Sequence, residues 1–273
     1  LRCARKANQL PKVVVPVHLA GQSCDMVHIK KLSEEYGFTV IEDASHAVGA
    51  DYLDTKVGSC AFSDMTVFSF HPVKIVTTGE GGMILTNNQD LYERLMLFRS
   101  HGITRDPDKM THVSDGDWYY QQIDLGCNYR MTDIQAALGT SQMTRLDTFV
   151  ARRRELAARY DTLLRDLPLV TPYVMKGAEP SWHIYVVRMD AGRTRKTKQQ
   201  IFEKMKEQGI TLNLHYIPVH RQPYYEKLGF RQGDFPQSEK YYEEAFTLPL
   251  YYDLMNEEQE YIVEALKNAL GDN

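Results

Sequence analysis

The sequence predicts an α/β fold in which a wound, mostly parallel sheet is followed by a smaller α+β unit. Three observations carry that expectation. Two runs rich in β-branched residues, VVVPV at 13–17 and FTVI at 38–41, are too short for helices and read as buried strands. Between them, CDMVHIKKLSEEYG (24–37) places apolar residues at Met26, Ile29 and Leu32 and stops at Gly37, the pattern of a helix closed by a glycine cap. Strand, helix and strand within roughly thirty residues make a βαβ unit, whose crossover is right-handed.

The remaining elements follow in order. MTVFSF (65–70) and GMILT (82–86) add two more strands to the first half. From Thr132 to about Leu167 the chain is rich in Ala, Leu, Arg and Glu and reads as one long connecting helix. Beyond Pro168 come a strand, HIYVVRM (183–189), a helix around KQQIFEKMKEQG (198–209) and a closing helix, NEEQEYIVEALKNAL (256–270). The expected division is 1–145 for the large α/β domain and 146–273 for the connecting helix and small α+β domain. A chain of 273 residues, at about 150 residues per domain, fits that division.

Composition narrows the functional classes. Lys and Arg total 32 against 36 Asp and Glu, a net charge of −4 that offers no field for non-specific binding to nucleic acid or to a membrane surface. No run of about 18 apolar residues appears, and the opening LRCARKANQLPK lacks the apolar stretch of a signal peptide, so a cytoplasmic enzyme is expected. Cys3, Cys24, Cys60 and Cys127 form no CxxC pair, so neither a zinc ribbon nor a disulfide framework is expected.

The strongest chemical signal is FSFHPVKIVTTGEGG (68–82), where Lys74 follows a strand and is crowded by Phe68, Phe70, Pro72 and Val73. Desolvation lowers the proton affinity of an ammonium and frees the amine that imine chemistry needs. The second signal is VIEDASHAVGA (40–50), where a strand ends at Asp43 and faces the ligand crevice of an open α/β sheet. Taken by itself, Asp43 could bind a metal, cap a helix or hold a protonated ring nitrogen. A lysine for an aldehyde and a carboxylate for a pyridine nitrogen are the two protein groups pyridoxal 5′-phosphate (PLP) requires, and both lie at strand ends here.

Seven segments then carry a resemblance. VPVHLAGQSCDM (15–26), VIEDASHAVGA, FSFHPVKIVTTGEGGMILTN (68–87), RSHGI (99–103), NYRMTDIQAALG (128–139), HYIPVHRQPYYEKLGF (215–230) and TLPLY (247–251) together resemble the DegT/DnrJ/EryC1/StrS nucleotide-sugar aminotransferases, in family order over nearly the whole chain. The SHA, RSHGI and HYIPVH segments are most similar to the branch acting in pseudaminic acid synthesis. The resemblance implies the fold type I of PLP-dependent transferases (aspartate aminotransferase-like). It makes Lys74 the lysine that bonds the cofactor aldehyde and Asp43 the partner of the pyridine nitrogen. It places His46 against the cofactor ring, Ser69 at the phosphate, and Asn128 at the phosphate of the neighbouring subunit's cofactor, which implies a homodimer.

The same resemblance implies a reaction in which an amino acid, glutamate in this reading, gives its amino group to C4 of a UDP-linked 4-keto-6-deoxy-N-acetylhexosamine. Arg130, His215, Tyr216 and His220 are the candidates for substrate binding, with Arg99 as a further source of charge. Family members also carry a longer N-terminal part, with a Gly-Thr turn for the phosphate. This chain opens at Leu1 in mid-sheet, so the N-terminal part of the large domain is expected to be missing and the fragment alone to bind PLP weakly. Three rivals are weighed: a PLP-dependent sugar dehydratase, disfavoured because a histidine there replaces the lysine; a non-catalytic PLP-fold sensor or partner-binding domain; and a metal hydrolase using His71, His101 or His112, for which no HxH or HxxxH pair exists.

Overall fold

The computed structural model describes residues 1–271. Four strands, β1 (Val13–Val14), β2 (Thr39–Asp43), β3 (Met65–Ser69) and β4 (Gly82–Leu85), form one sheet in that spatial order. The first three run parallel and β4 returns antiparallel to β3. β1 is shorter than its apolar run, because Pro16 has no N–H to give to a ladder. Beyond it the chain meets β2 again only at a Val17–Asp43 bridge.

The helix between the first two strands, α1 (Met26–Tyr36), begins where the Asp25 side chain accepts the His28 N–H at 3.2 Å. It ends at Gly37, whose left-handed φ of 75° lets its N–H bond the Ser33 carbonyl. Met26 packs there with Phe38 and Val40, which fixes the strand ends that follow. A helix not foreseen, α2 (Gln89–Phe98), starts at an Asn88 cap.

The long helix expected from Thr132 is two helices, α3 (Asp133–Met143) and α4 (Leu146–Leu163). Thr132 and Gln135 form a capping box at the start of α3. The chain leaves helical geometry at Arg145, after a stretch in which Gly139, Thr140, Ser141 and Thr144 all have weak helix preference, and Thr144 turns its hydroxyl back to the Ser141 carbonyl.

In the C-terminal half, β5 (Leu169–Val170), β6 (Tyr185–Met189) and β7 (Ala245–Leu248) form an antiparallel sheet with β6 in the centre. Helices α4, α5 (Lys198–Glu207) and α7 (Asn256–Leu270) share a core with it, while α6 (Pro236–Glu244) leads directly into β7. That core is continuous through Leu156, Tyr160, Tyr185, Ile201, Met205, Phe246 and Leu266. Each such side chain contributes about 1.5–3 kcal/mol by leaving water.

The two halves are stitched to each other. Ala178–Glu179 pairs with Asp51–Tyr52, and Arg154 of α4 reaches both Asp51 and Glu179. Ser181 and His183 donate their backbone N–H groups to the carbonyls of Gly21 and Ala20 at 3.1 and 3.0 Å.

Candidate active site

Lys74 sits in the loop that joins β3 to β4. That loop closes on Phe70, whose N–H donates to Gly81 and whose carbonyl accepts from Thr78 and from the Thr77 hydroxyl. Ile75 and Val76 are buried beneath it and anchor the lysine backbone. Lys74 itself is half-buried, and burial pulls its ammonium below the ordinary lysine range against the opposing attraction of Asp43.

Asp43 ends β2, with its backbone held on both sides: its N–H donates to Pro16 and its carbonyl accepts from His18. The carboxylate accepts the Ser45 N–H at 3.0 Å. Residues 44–50 form turns and no helix, so the helix-cap role left open for Asp43 has no helix to act on.

His46 is buried and both of its ring nitrogens are engaged. The Ala20 N–H donates to Nδ1 at 3.3 Å, and Nε2 meets the Tyr216 hydroxyl at 3.2 Å. Burial, with the charges of Lys74 and His215, pushes its pKa down to about 4. The His183 ring packs at 4.5 Å from that of His46, and the Tyr216 ring at 6.3 Å.

Tyr216 and His215 arrive from the C-terminal half. His215 Nδ1 bonds the Thr247 hydroxyl of β7 at 2.8 Å, and burial and Lys74 lower its proton affinity. Tyr216 is raised by burial and by the Asp43 charge, so its phenol stays protonated at neutral pH. Lys74, Asp43, His46, His183, His215 and Tyr216 therefore act within one another's fields.

The other expected residues lie differently. Ser69 ends β3, where its hydroxyl accepts the His71 N–H at 3.4 Å. Asn128 bridges Ser100, and both Asn128 and Arg130 are exposed and make no hydrogen bond to the Lys74 group among the described residues. Arg99 is likewise exposed. His220 is buried in a hydrogen bond with Glu239 at 2.7 Å, packed on Phe235, and faces away from solvent. His71, His101 and His112 do not converge: among the described residues no group of three or more His, Cys, Asp or Glu is arranged to hold a metal.

Sequence reasoning missed His183 and the groups that hold it. Its segment reads only as a strand entry, yet Arg153 of α4 donates from one guanidinium nitrogen to the carbonyls of Trp182, His183 and Leu250 at 3.0–3.1 Å. Gly21 lies against the same segment with φ of +96°, and a Cβ there would come within 2.9 Å of both the His46 carbonyl and the Trp182 nitrogen. Its glycine was the available signal.

The sequence profile of the DegT/DnrJ/EryC1/StrS aminotransferase family matches residues 2–267. The chain belongs to that family. It is 38% identical over 262 residues to the spore coat polysaccharide biosynthesis protein SpsC of Bacillus subtilis, covering 95% of this chain and 67% of SpsC. Among solved structures it is similar to Helicobacter pylori PseC, an aminotransferase involved in the biosynthesis of pseudoaminic acid, with a TM-score of 0.86 and 30% identity over 95% of this chain and 67% of PseC. It is also similar to the PLP form of the sugar aminotransferase Spr1654 of Streptococcus pneumoniae, described there as putative, with a TM-score of 0.82 and 28% identity over 94% and 68% of the two chains. As a member of the family the chain has the fold of type I PLP-dependent transferases, and no helix among its described residues is long and apolar enough to cross a membrane.

Proposed function

We propose that this DegT/DnrJ/EryC1/StrS member moves an amino group from glutamate to C4 of a UDP-linked 4-keto-6-deoxy-N-acetylhexosamine, a step toward pseudaminic acid or a related surface glycan. The carrying observation is Lys74: a half-buried amine of lowered proton affinity in the loop after β3, within the field of the Asp43 carboxylate at the end of β2. PLP is the cofactor of the family. The donor set fits it, since an amine suits its aldehyde, a carboxylate its ring nitrogen, an imidazole face its ring and the Ser69 hydroxyl its phosphate. When bound, PLP supplies an electron sink for the charge left on a donor carbon that loses its proton.

The protein residues do the rest. Lys74 holds the aldehyde in the resting enzyme and, as a free amine, takes and returns a proton at the donor Cα. Asp43, pinned by its backbone bonds to Pro16 and His18, keeps a proton on the ring nitrogen. His46, uncharged and fixed at both nitrogens, offers a flat face that cannot swing away. His215 and Tyr216 bring substrate contacts from the C-terminal half.

Asn128 serves the neighbouring subunit's cofactor phosphate in this reading. The residues around it support a homodimer, because Leu125, Tyr129 and Ile134 are 85%, 80% and 84% exposed, an apolar patch of the kind that another copy covers. Within this scheme residues 1–145 form the large domain and 146–273 the connecting helix and small domain, and the enzyme works in the cytoplasm.

The test offers PLP-loaded protein isotopically labelled glutamate and a panel of UDP-linked 4-keto-6-deoxy sugars, with products identified by mass. Label transfer to one N-acetylated sugar is the expected result. Equal transfer to several epimers would remove the pseudaminic assignment, and no transfer to any would remove the reading.

A further inference from the structure

The hydrogen bonds around His46 run in one direction. A backbone N–H can only donate, so the Ala20 N–H fixes His46 Nδ1 as an acceptor. In the neutral ring the proton then lies on Nε2, and Nε2–H donates to the Tyr216 oxygen at 3.2 Å. The phenol hydrogen must point elsewhere, and among the described residues the Tyr216 hydroxyl has no other partner. Tyr216 is 53% exposed, which leaves that hydrogen open to an incoming molecule. Donors aligned in a chain polarise one another, so accepting from His46 strengthens the outward O–H.

From this chain, and resting on the amino-transfer reading above, we infer that Tyr216 donates a hydrogen bond to the keto oxygen of the acceptor sugar. A keto oxygen has lone pairs and no hydrogen, so it is a complement of the phenol hydrogen that the His46 bond leaves unused. The bond orients the sugar and draws electron density from the carbon that the incoming amine attacks, without a proton leaving the phenol. The frame behind it is rigid. The His183 ring packs 4.5 Å from that of His46, and Arg153 holds the His183 carbonyl. Tyr216 joins the C-terminal half to the Lys74 half through its bond to His46.

The two half-reactions separate this role from others. In PLP-loaded protein carrying Tyr216→Phe, the rate with the keto sugar should fall about 10- to 100-fold in kcat/KM. The rate with glutamate alone, and the absorbance of bound PLP with its pH midpoint, should stay at wild-type values. A second variant with 3-fluorotyrosine at position 216 carries a more acidic phenol, a better donor and a poorer acceptor, and should keep or raise the sugar rate. Equal losses in both half-reactions with a shifted absorbance would assign Tyr216 to the cofactor and overturn the inference. So would an unchanged sugar rate in Tyr216→Phe, or a slower one with fluorotyrosine. If wild-type protein aminates no keto sugar, the amino-transfer reading falls as well; if it does while Tyr216→Phe keeps pace, only the role of Tyr216 falls.

Discussion

The half that carries Lys74 and Asp43 and the half that carries Tyr216 bury their apolar residues in opposite ways. In the C-terminal half Tyr160, Tyr185 and Phe246 are all 0% exposed and belong to one continuous core. The sheet half divides its apolar residues among four smaller groups, two of them shared with α4, and leaves Val15, Val17 and Met83 about half exposed at 52%, 50% and 48%. The difference separates two tasks. One half supplies a rigid frame, while the other holds Asp43 at a strand end and Lys74 in the loop that follows the next strand. The site depends on the stitches between them, at Ala20 and Gly21, at residues 181–183, and at Arg154.

The largest effect should come from Lys74→Ala. If chemistry and stability are divided as described, turnover should vanish while unfolding free energy changes by no more than about 0.5 kcal/mol, because Lys74 makes no side-chain hydrogen bond among the described residues and is only half-buried. Single-turnover assays and a denaturant titration of the same preparation check both halves of that statement. Persistent transamination would remove Lys74 from its role, and a large loss of stability would break the division.

Much of this division was legible in the sequence where the signals are local. The helix at 256–270 ends where its apolar periodicity ends. Asp43 and Lys74 announce themselves because strand ends in an open α/β sheet are ligand positions, whatever lies elsewhere. What escaped was non-local. Apolar alternation does not encode strand direction, so β4 gave no sign of running antiparallel. The kink at Arg145 arises from several weak preferences added together. His183 joins His46 only through tertiary packing, and His220 is the same residue type as a ligand-binding histidine while serving a buried hydrogen bond to Glu239.

A smaller effect, on stability, tests the stitch itself. Gly21→Ala places a Cβ 2.6 Å from the Ser181 hydroxyl and 2.9 Å from two backbone atoms, at a left-handed φ that disfavours alanine. Overpacking and backbone strain together should cost about 2–3 kcal/mol. A lowered denaturant midpoint with unchanged slope is expected. Wild-type stability would mean that the 20–21 and 181–183 segments slide past each other freely, and the two halves would not be clamped at the site.

The smallest effect concerns acid, and it lies one residue from Asp43 on the opposite face of β2. Glu42 is buried and accepts hydrogen bonds from His18 at 2.7 Å, from Thr66 at 3.0 Å and from Ser63. Burial alone would raise its proton affinity, but these three donors outweigh burial and hold it below the ordinary carboxylate value of 4.5. A carboxylate whose folded pKa is depressed stabilises the protein above its unfolded value, and that contribution is lost as pH falls through the folded one. The sheet half should therefore weaken on acidification. Glu42→Gln removes the titrating group, keeps a side-chain oxygen as acceptor and should flatten the fall in unfolding free energy between about pH 6 and about pH 3. Denaturant titrations across that range decide the point: equal slopes with pH in the two proteins would mean that other carboxylates set the acid limit, and that the buried pair beneath Asp43 adds no pH-dependent stability to the sheet half.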